Sequence, residues 1–263
     1  MSAVAKVMKY ELSDVIRSRW LIAYTLFFIV VTDGLLRFSG DSANALLSLM
    51  NVVLFIIPLV NIVFGTMYLY NAREFTELLL AQPIGRRQLF GGLYLGLAVP
   101  LSCGFVAGVA IPFALHSFDG PAQRGVLTTL LAVGVVLTLS FTGVAFALAL
   151  RLEDRAKALG AAIGIWLLTT VLYDGMVLLL GSMFADYPLE RPLLAVMLLN
   201  PVDLARVLML LQLDVSALMG YTGAVFKSFF GSAGGMLLAC GALLLWAAAP
   251  PLAALHLFRR KDF

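Results

Sequence analysis

The segment YNAREFTELLLAQPIGRRQLFGG, residues 70–92, separates two long apolar stretches with a short charged sequence. It contains two glutamates, three arginines and an internal Pro-Ile-Gly. Charged side chains are costly inside an apolar environment, so this segment reads as a connection between two elements that are themselves buried. The fold therefore depends on the structure that the apolar stretches on either side of it adopt.

The apolar stretches identify a membrane protein. The chain has 263 residues, 62% of them hydrophobic and 13% charged, whereas a soluble domain has roughly 45–50% apolar and about 25% charged residues. A membrane helix needs roughly 20 apolar residues, and an open chain in lipid must be helical to satisfy its backbone. Six segments are suitable: residues 20–38, 46–70, 93–115, 126–150, 158–180 and 234–257. We predict one all-α domain, residues 1–263, with six transmembrane helices.

The basic residues predict the orientation of these helices. With the N-terminus inside, all but five of the 18 lysines and arginines fall on the cytoplasmic side. The five on the outer side are Arg37, Arg124, Arg191, Arg206 and Lys227. Basic loops stay in the cytoplasm, and an even number of spans returns the C-terminus to the same side. Both termini are therefore predicted to be cytoplasmic.

The first 19 residues have an amphipathic pattern. Val4, Met8, Leu12 and Val15 recur at helical spacing, and basic residues lie elsewhere on the helical wheel. This pattern is typical of a helix that lies along the membrane surface. We predict an interfacial helix at the inner leaflet; a solvated tail is the alternative.

The charged connection, residues 71–90, contains a helical pattern of its own. Phe75, Leu78 and Leu79 are spaced as one apolar stripe. Pro83 ends the helix because it cannot donate a backbone hydrogen bond. A plain connection between packed helices needs only two to eight residues. We predict a short helix parallel to the inner surface that contacts a partner; the alternative is an interfacial helix without a partner.

The chain has no nucleotide-binding loop. Such a loop needs a Gly-Lys pair followed by Ser or Thr, so that backbone N–H groups and the lysine hold the phosphates. None of the five lysines follows a glycine. Any ATP hydrolysis must be performed by another chain, and we expect no cofactor in this one.

The connection resembles that of the permease subunits of type-2 ABC exporters, in which an Arg-Glu pair precedes Thr-Glu, a leucine run, a proline and a basic residue. The matching residues are Arg73, Glu74, Thr76, Glu77, Leu78, Leu79, Pro83 and Arg86. Phe75 departs from the glycine that many members have. With the six spans and the terminal FRRKDF, the resemblance covers essentially the whole chain.

This resemblance implies that residues 73–86, Phe75 included, form the coupling helix that sits in a groove of a cytoplasmic ATPase. It implies two copies of that ATPase, which bind ATP and Mg²⁺, and a second copy of this chain. It further implies a multi-pass protein of the bacterial inner membrane, surrounded by lipid and without a nucleic-acid partner.

The outer loop between spans five and six, residues 182–233, contains a second short helix. In LLNPVDLARVLMLLQLDV, residues 198–215, Asn200 is suited to the N-cap and Pro201 to the first helical position. With Asp203 and Arg206 among its leucines, this helix is too short and too charged to span. It is predicted to lie on the outer surface or to pack back onto the ends of the spans.

This loop also resembles, more narrowly, the permease family that serves maturation of nitrous oxide reductase. The residues are Asn200, Pro201, Asp203, Arg206 and the aliphatic helix that follows. The resemblance implies a role in assembly of the copper centres of that reductase. It also implies a periplasmic β-helical accessory protein, and these four residues as its docking site or gate.

Two acids, Asp33 and Asp174, fall within predicted spans. A carboxylate in a membrane is costly and is therefore a candidate functional group. Both lie towards the outer ends of their spans, where water and, for Asp33, Arg37 are within reach. An aspartyl-protease pair is disfavoured because Asp33 lacks the Gly-x-Gly that should precede it.

The methionines of the outer region could in principle bind Cu(I), because thioethers are soft ligands. They are Met176, Met183, Met197, Met209 and Met219. None of them is paired at Met-x-x-Met spacing, so we predict packing and no metal site. The other functions left open are an exporter of lipid, drug or peptide, and a channel or secondary carrier that works without an ATPase through Asp33 or Asp174.

Overall fold

The computed structural model describes residues 18–39, 42–81, 85–116, 121–183, 195–213 and 233–261. Nearly all of the predicted N-terminal interfacial helix lies outside these residues, as do Pro83 and much of the loop 182–233. The described part is helical and contains no strand.

The described helices are α1 (Arg19–Phe38), α2 (Ser42–Asn71), α3 (Arg73–Leu80), α4 (Arg86–Leu115), α5 (Pro121–Arg151), α6 (Arg155–Leu167), α7 (Tyr173–Met183), α8 (Pro201–Gln212) and α9 (Ala233–Arg260). A π-helical turn, Leu168–Leu172, joins α6 to α7 without a break. Six helices are long and apolar enough to cross a membrane, with α6, the π turn and the start of α7 as one crossing. The predicted six-span architecture is confirmed.

Helix α5 is the centre of the bundle. It packs along α2 on one side and α9 on another, and it also contacts α4 and α8. Helix α1 packs on α4, and α6 packs on α2. The shared core is rich in aromatic rings, of which the largest fully buried are Phe28, Phe105, Phe113, Phe146 and Phe258. Helices α1, α6 and α9 therefore form the outside of the bundle within one chain.

A pair of glycines allows α1 to approach α4 closely. A Cβ atom at Gly108 would lie 2.6 Å from the Cβ of Phe28, and one at Gly104 would lie 2.6 Å from Thr25 Oγ1. Membrane helices use such small residues because association depends on close packing rather than on the hydrophobic effect. The four-residue spacing of Gly104 and Gly108 places both on the face of α4 that contacts α1.

Cationic side chains tie several helices together at the end of the bundle that carries Arg86, Arg151, Arg155, Arg259 and Arg260; we call this the basic end. Arg86 Nη1 donates to the carbonyls of Arg259 at 2.9 Å and Lys261 at 2.8 Å. Lys261 Nζ donates to the Leu150 carbonyl at 2.8 Å. Terminal carbonyls have no partner within their own helix, and cations stabilise them.

Candidate functional site

Helix α3 lies at the basic end and is attached to the bundle along one side. Thr76 is buried, and its Oγ1 donates to the Ala72 carbonyl at 2.7 Å. Leu79 and Leu80 are partly buried against the core. Arg73 Nε lies 3.4 Å from Glu77 Oε1, one turn along the same helix. The helix is thus held in place on the bundle.

The opposite side of α3 is open. Leu78 is 70% exposed, and Glu74 and Glu77 are exposed beside it, while Phe75 is half-buried. The sequence pattern placed Phe75, Leu78 and Leu79 on one free stripe, but the structure divides that stripe, because Leu79 packs inwards. The open surface of Glu74, Glu77 and Leu78 is the part of α3 that another chain can contact; we call it the α3 face.

Arg86 is separated from the α3 face. It starts α4, and its guanidinium binds the carbonyl groups at the end of α9. Its contacts in this chain are therefore structural.

The second candidate site surrounds the start of α8. Asn200 is the N-cap: its Oδ1 accepts from the Val202 backbone N–H at 3.1 Å, and Pro201 occupies the first turn. This confirms the predicted helix start. Asn200 Nδ2 also donates to the Thr169 carbonyl at 2.7 Å. That contact joins the segment 195–213 to the π-helical turn.

The segment 195–213 reaches back between the spans. Tyr173 donates its hydroxyl hydrogen to the Val196 carbonyl, and Trp246 Nε1 donates to the Leu198 carbonyl at 3.1 Å. Thr169 and Trp246 each lie about 20 Å along their helices from the basic end, within the roughly 30 Å of a hydrocarbon core. Nearly all of Pro201–Met209 is buried against the spans, which is nearer to the predicted packing onto the ends of the spans than to a helix on the membrane surface.

Two carboxyl groups meet one guanidinium beside this segment. Arg206 Nη1 forms an ion pair with Asp174 Oδ2 and lies 3.6 Å from Asp203 Oδ1. Burial is the main reason that the pKa of Asp203 rises to about 7; the hydrogen bond and charge of Asp174 raise it further, while Arg206 and Asn200 oppose the rise. The sequence pointed to headgroups and water as the environment of Asp174, whereas the structure gives it a partner 32 residues away.

Asp33 has different partners. Arg37 Nε lies 2.7 Å from Asp33 Oδ2, which confirms the contact expected one turn along α1. His116 Nε2 lies 3.5 Å from Asp33 Oδ1. No hydrogen bond or ion pair joins Asp33 to Asp174 in the described part of the chain. The two acids therefore belong to separate sites.

The methionines differ in their surroundings. Met197 and Met209 are buried in the core, whereas Met176 and Met183 are exposed on α7. Met219 lies outside the described residues. Within those residues, no cluster of three or more His, Cys, Asp or Glu side chains could hold a metal ion.

Replacing Asn200 by alanine should loosen the segment 195–213. The change removes the cap, which typically contributes about 1 kcal/mol, and leaves the partly buried Thr169 carbonyl without this donor, at up to about 1–3 kcal/mol. Hydrogen exchange of Val202–Met209 amides should accelerate. Asn200→Ser retains a capping oxygen but not the reach to Thr169, so it should show only part of the effect; equal exchange in all three proteins would contradict this role.

Comparison with known proteins adds to this geometry. A family described as "ABC-2 family transporter protein" matches residues 5–263. A protein of Pseudomonas aeruginosa named "Probable ABC transporter permease protein NosY" is 29% identical, with 99% of each chain covered. A protein of the same name from Stutzerimonas stutzeri is 27% identical, again with 99% of each chain covered.

Proposed function

The chain belongs to the ABC-2 family of transporter proteins as a permease subunit, and from this we propose that it transmits the work of ATP hydrolysis to the outer side of the bacterial inner membrane. ATP and Mg²⁺ would be bound by a separate cytoplasmic ATPase, and this chain would need no cofactor. The family implies both an ATPase partner and dimerisation. Two permease chains with two ATPase chains are the simplest assembly.

The α3 face is the observation that supports the coupling. It presents an exposed leucine next to two exposed glutamates, an apolar anchor beside charged groups of the kind that protein interfaces use. It stands on a helix whose other side is packed on the bundle. A partner that binds Leu78, Glu74 and Glu77 and then moves would therefore displace the helical bundle and not only a loop.

The biological role proposed here is maturation of the copper centres of nitrous oxide reductase. Its support is the pair of relatives named as NosY permeases, similar over 99% of their length, together with the outer-loop resemblance. A periplasmic β-helical accessory protein would receive the movement. Asn200, Pro201 and Asp203 are buried, so they would act by positioning the segment 195–213 rather than by touching that protein.

Isolation of the assembly tests the coupling. The tagged chain is purified from a denitrifying bacterium in mild detergent, and the proteins that elute with it are identified by mass spectrometry. We expect an ABC ATPase and a periplasmic protein rich in β-helix. If no nucleotide-hydrolysing protein elutes with the chain, ATP-driven coupling is contradicted.

Deletion of the gene separates the maturation role from general export. In the deletion strain we expect nitrous oxide reductase polypeptide at normal abundance but without its copper absorption bands, and the wild-type gene on a plasmid should restore them. A fully metallated reductase in the deletion strain would contradict the maturation role and favour an exporter of lipid, drug or peptide.

A further inference from the structure

The contact between α7 and α8 contains more negative than positive groups. Asp174 and Asp203 both face Arg206, and the Asp203 side chain is only 4% exposed. One guanidinium can neutralise one carboxylate. A second ionised carboxylate in a buried position would have to remain without a compensating charge, which is strongly unfavourable.

A proton resolves this imbalance. Asp174 Oδ2 and Asp203 Oδ1 both face Arg206 Nη1, so the two carboxyl groups lie side by side, and two such groups can form a hydrogen bond only if one of them carries a proton. With one proton shared, the site holds one negative and one positive charge. Close carboxylates that share a single proton behave as one titrating pair.

Among the described residues, the helices packed against this site supply no second cation. Helix α7 contributes Tyr173 and Asp174, and α8 contributes Arg206. Helix α2 has no charged residue; the charges of α9 are Arg259 and Arg260 at the basic end, and α5 carries Arg124 and Arg151 at its two ends. Gly125, next to Arg124, faces Gln212 at the far end of α8. Thr170, about one turn before Asp174, has a buried hydroxyl without a hydrogen-bond partner in the described structure.

The same site fastens the outer segment to the spans. Of the contacts that hold residues 195–213, those of Tyr173, Trp246 and Asn200 are hydrogen bonds to backbone carbonyls. The Arg206 contact with Asp174 is the ionic one. A change of charge at this site therefore acts directly on the docking of the segment.

We propose that Asp174 and Asp203 form a binding site for a single proton, and that loss of this proton loosens the docking of residues 195–213 on α7 and the π-helical turn. This goes beyond the proposed transporter function and does not depend on any partner chain. It makes the position of the outer segment sensitive to pH on the side of the membrane that reaches the site.

The direction of the effect follows from linkage. The pKa of Asp203, about 7 when docked, would return towards 3.8 in a loosened segment open to water. The docked state then binds more protons between these values, so docking weakens as pH rises from about 4 to 7 and is constant above that range. Between pH 5.5 and 8.0 the docking equilibrium should change by up to about 30-fold.

Hydrogen–deuterium exchange of the full-length chain in lipid nanodiscs measures this equilibrium, because slow amides exchange through the open state. Exchange of the Val202–Met209 amides is compared at pH 5.5 and 8.0 after correction for the intrinsic rates. Wild-type protection should fall on the order of tenfold or more at pH 8.0. Asp203→Asn, which cannot titrate, should show equal protection at both values.

Asp33→Asn is the matched control, since it removes a partly buried carboxylate at an unrelated ion pair and should retain the wild-type response. Asp174→Asn leaves one carboxylate for one guanidinium, so its pH response should shrink; this variant also decides the question if Asp203→Asn does not fold. Equal wild-type protection at both pH values, or an undiminished response in Asp203→Asn, would overturn the proton site.

Discussion

Replacing Leu78 by aspartate should leave a folded, membrane-inserted protein that no longer binds its ATPase productively. Leu78 is 70% exposed, so the chain's own fold does not depend on it. In the proposed assembly it is the apolar anchor of the α3 face, and truncation of such an anchor typically costs 2 kcal/mol or more, which is about 30-fold in affinity. Adding a carboxylate beside Glu74 and Glu77 increases the loss.

The measurement is ATPase stimulation by the purified permease in nanodiscs, together with recovery of the ATPase in a pull-down. Leu78→Met preserves an apolar side chain of similar volume and should retain both. Leu79→Asp is the structural counterpart, because Leu79 packs on the core; it should lower the thermal stability of the permease itself. Normal stimulation by Leu78→Asp would show that the α3 face is not the coupling contact.

Replacing Gly143 by leucine should prevent α9 from packing on α5. A Cβ atom at this position would lie 2.6 Å from both Cδ and N of Pro251, and 3.0 Å from the backbone carbon of Pro250. Backbone atoms cannot rotate away as a side chain can, so the helices must separate. Overpacking in a well-packed core already costs about 1–3 kcal/mol, and loss of this contact should exceed that range.

Size-exclusion chromatography and thermal melting in detergent detect this loss as aggregation or a strongly lowered Tm. Gly241→Leu is the control, since Gly241 lies on α9, the other helix of this contact, and has no atom within 4 Å of an added Cβ. It should behave as the wild type does. If Gly143→Leu melts at the same temperature as Gly241→Leu, the packing of α5 on α9 is contradicted.

The architecture could be predicted because its causes are local in the sequence. Long apolar runs require helices in lipid, and Asn200 followed by Pro201 specifies a helix start by its own chemistry. The spacing of Gly104 and Gly108 is local in the same sense, since four residues along a helix place both on one face. Each of these features depends on residues within a few positions of one another.

The polar sites could not be predicted because their partners are distant. Asp174 is paired with Arg206 across the outer loop, and Asp33 lies near His116, 83 positions away. The periodicity of apolar residues in a sequence does not indicate where a long loop packs against the helices. The division of α3 has a related cause: the spacing of Phe75, Leu78 and Leu79 describes a stripe, but only the position of the bundle decides that Leu79 faces inwards and Leu78 outwards.

The ties at the basic end have a mechanical consequence. Arg86 donates hydrogen bonds to the last carbonyls at the end of α9, and Lys261 donates one to a carbonyl at the end of α5. A pull on the connection before Arg86 is therefore shared by three crossings, which should tilt as a block. Helices α1, α2 and α6 take no part in these three hydrogen bonds, so they are the crossings relative to which the block would tilt.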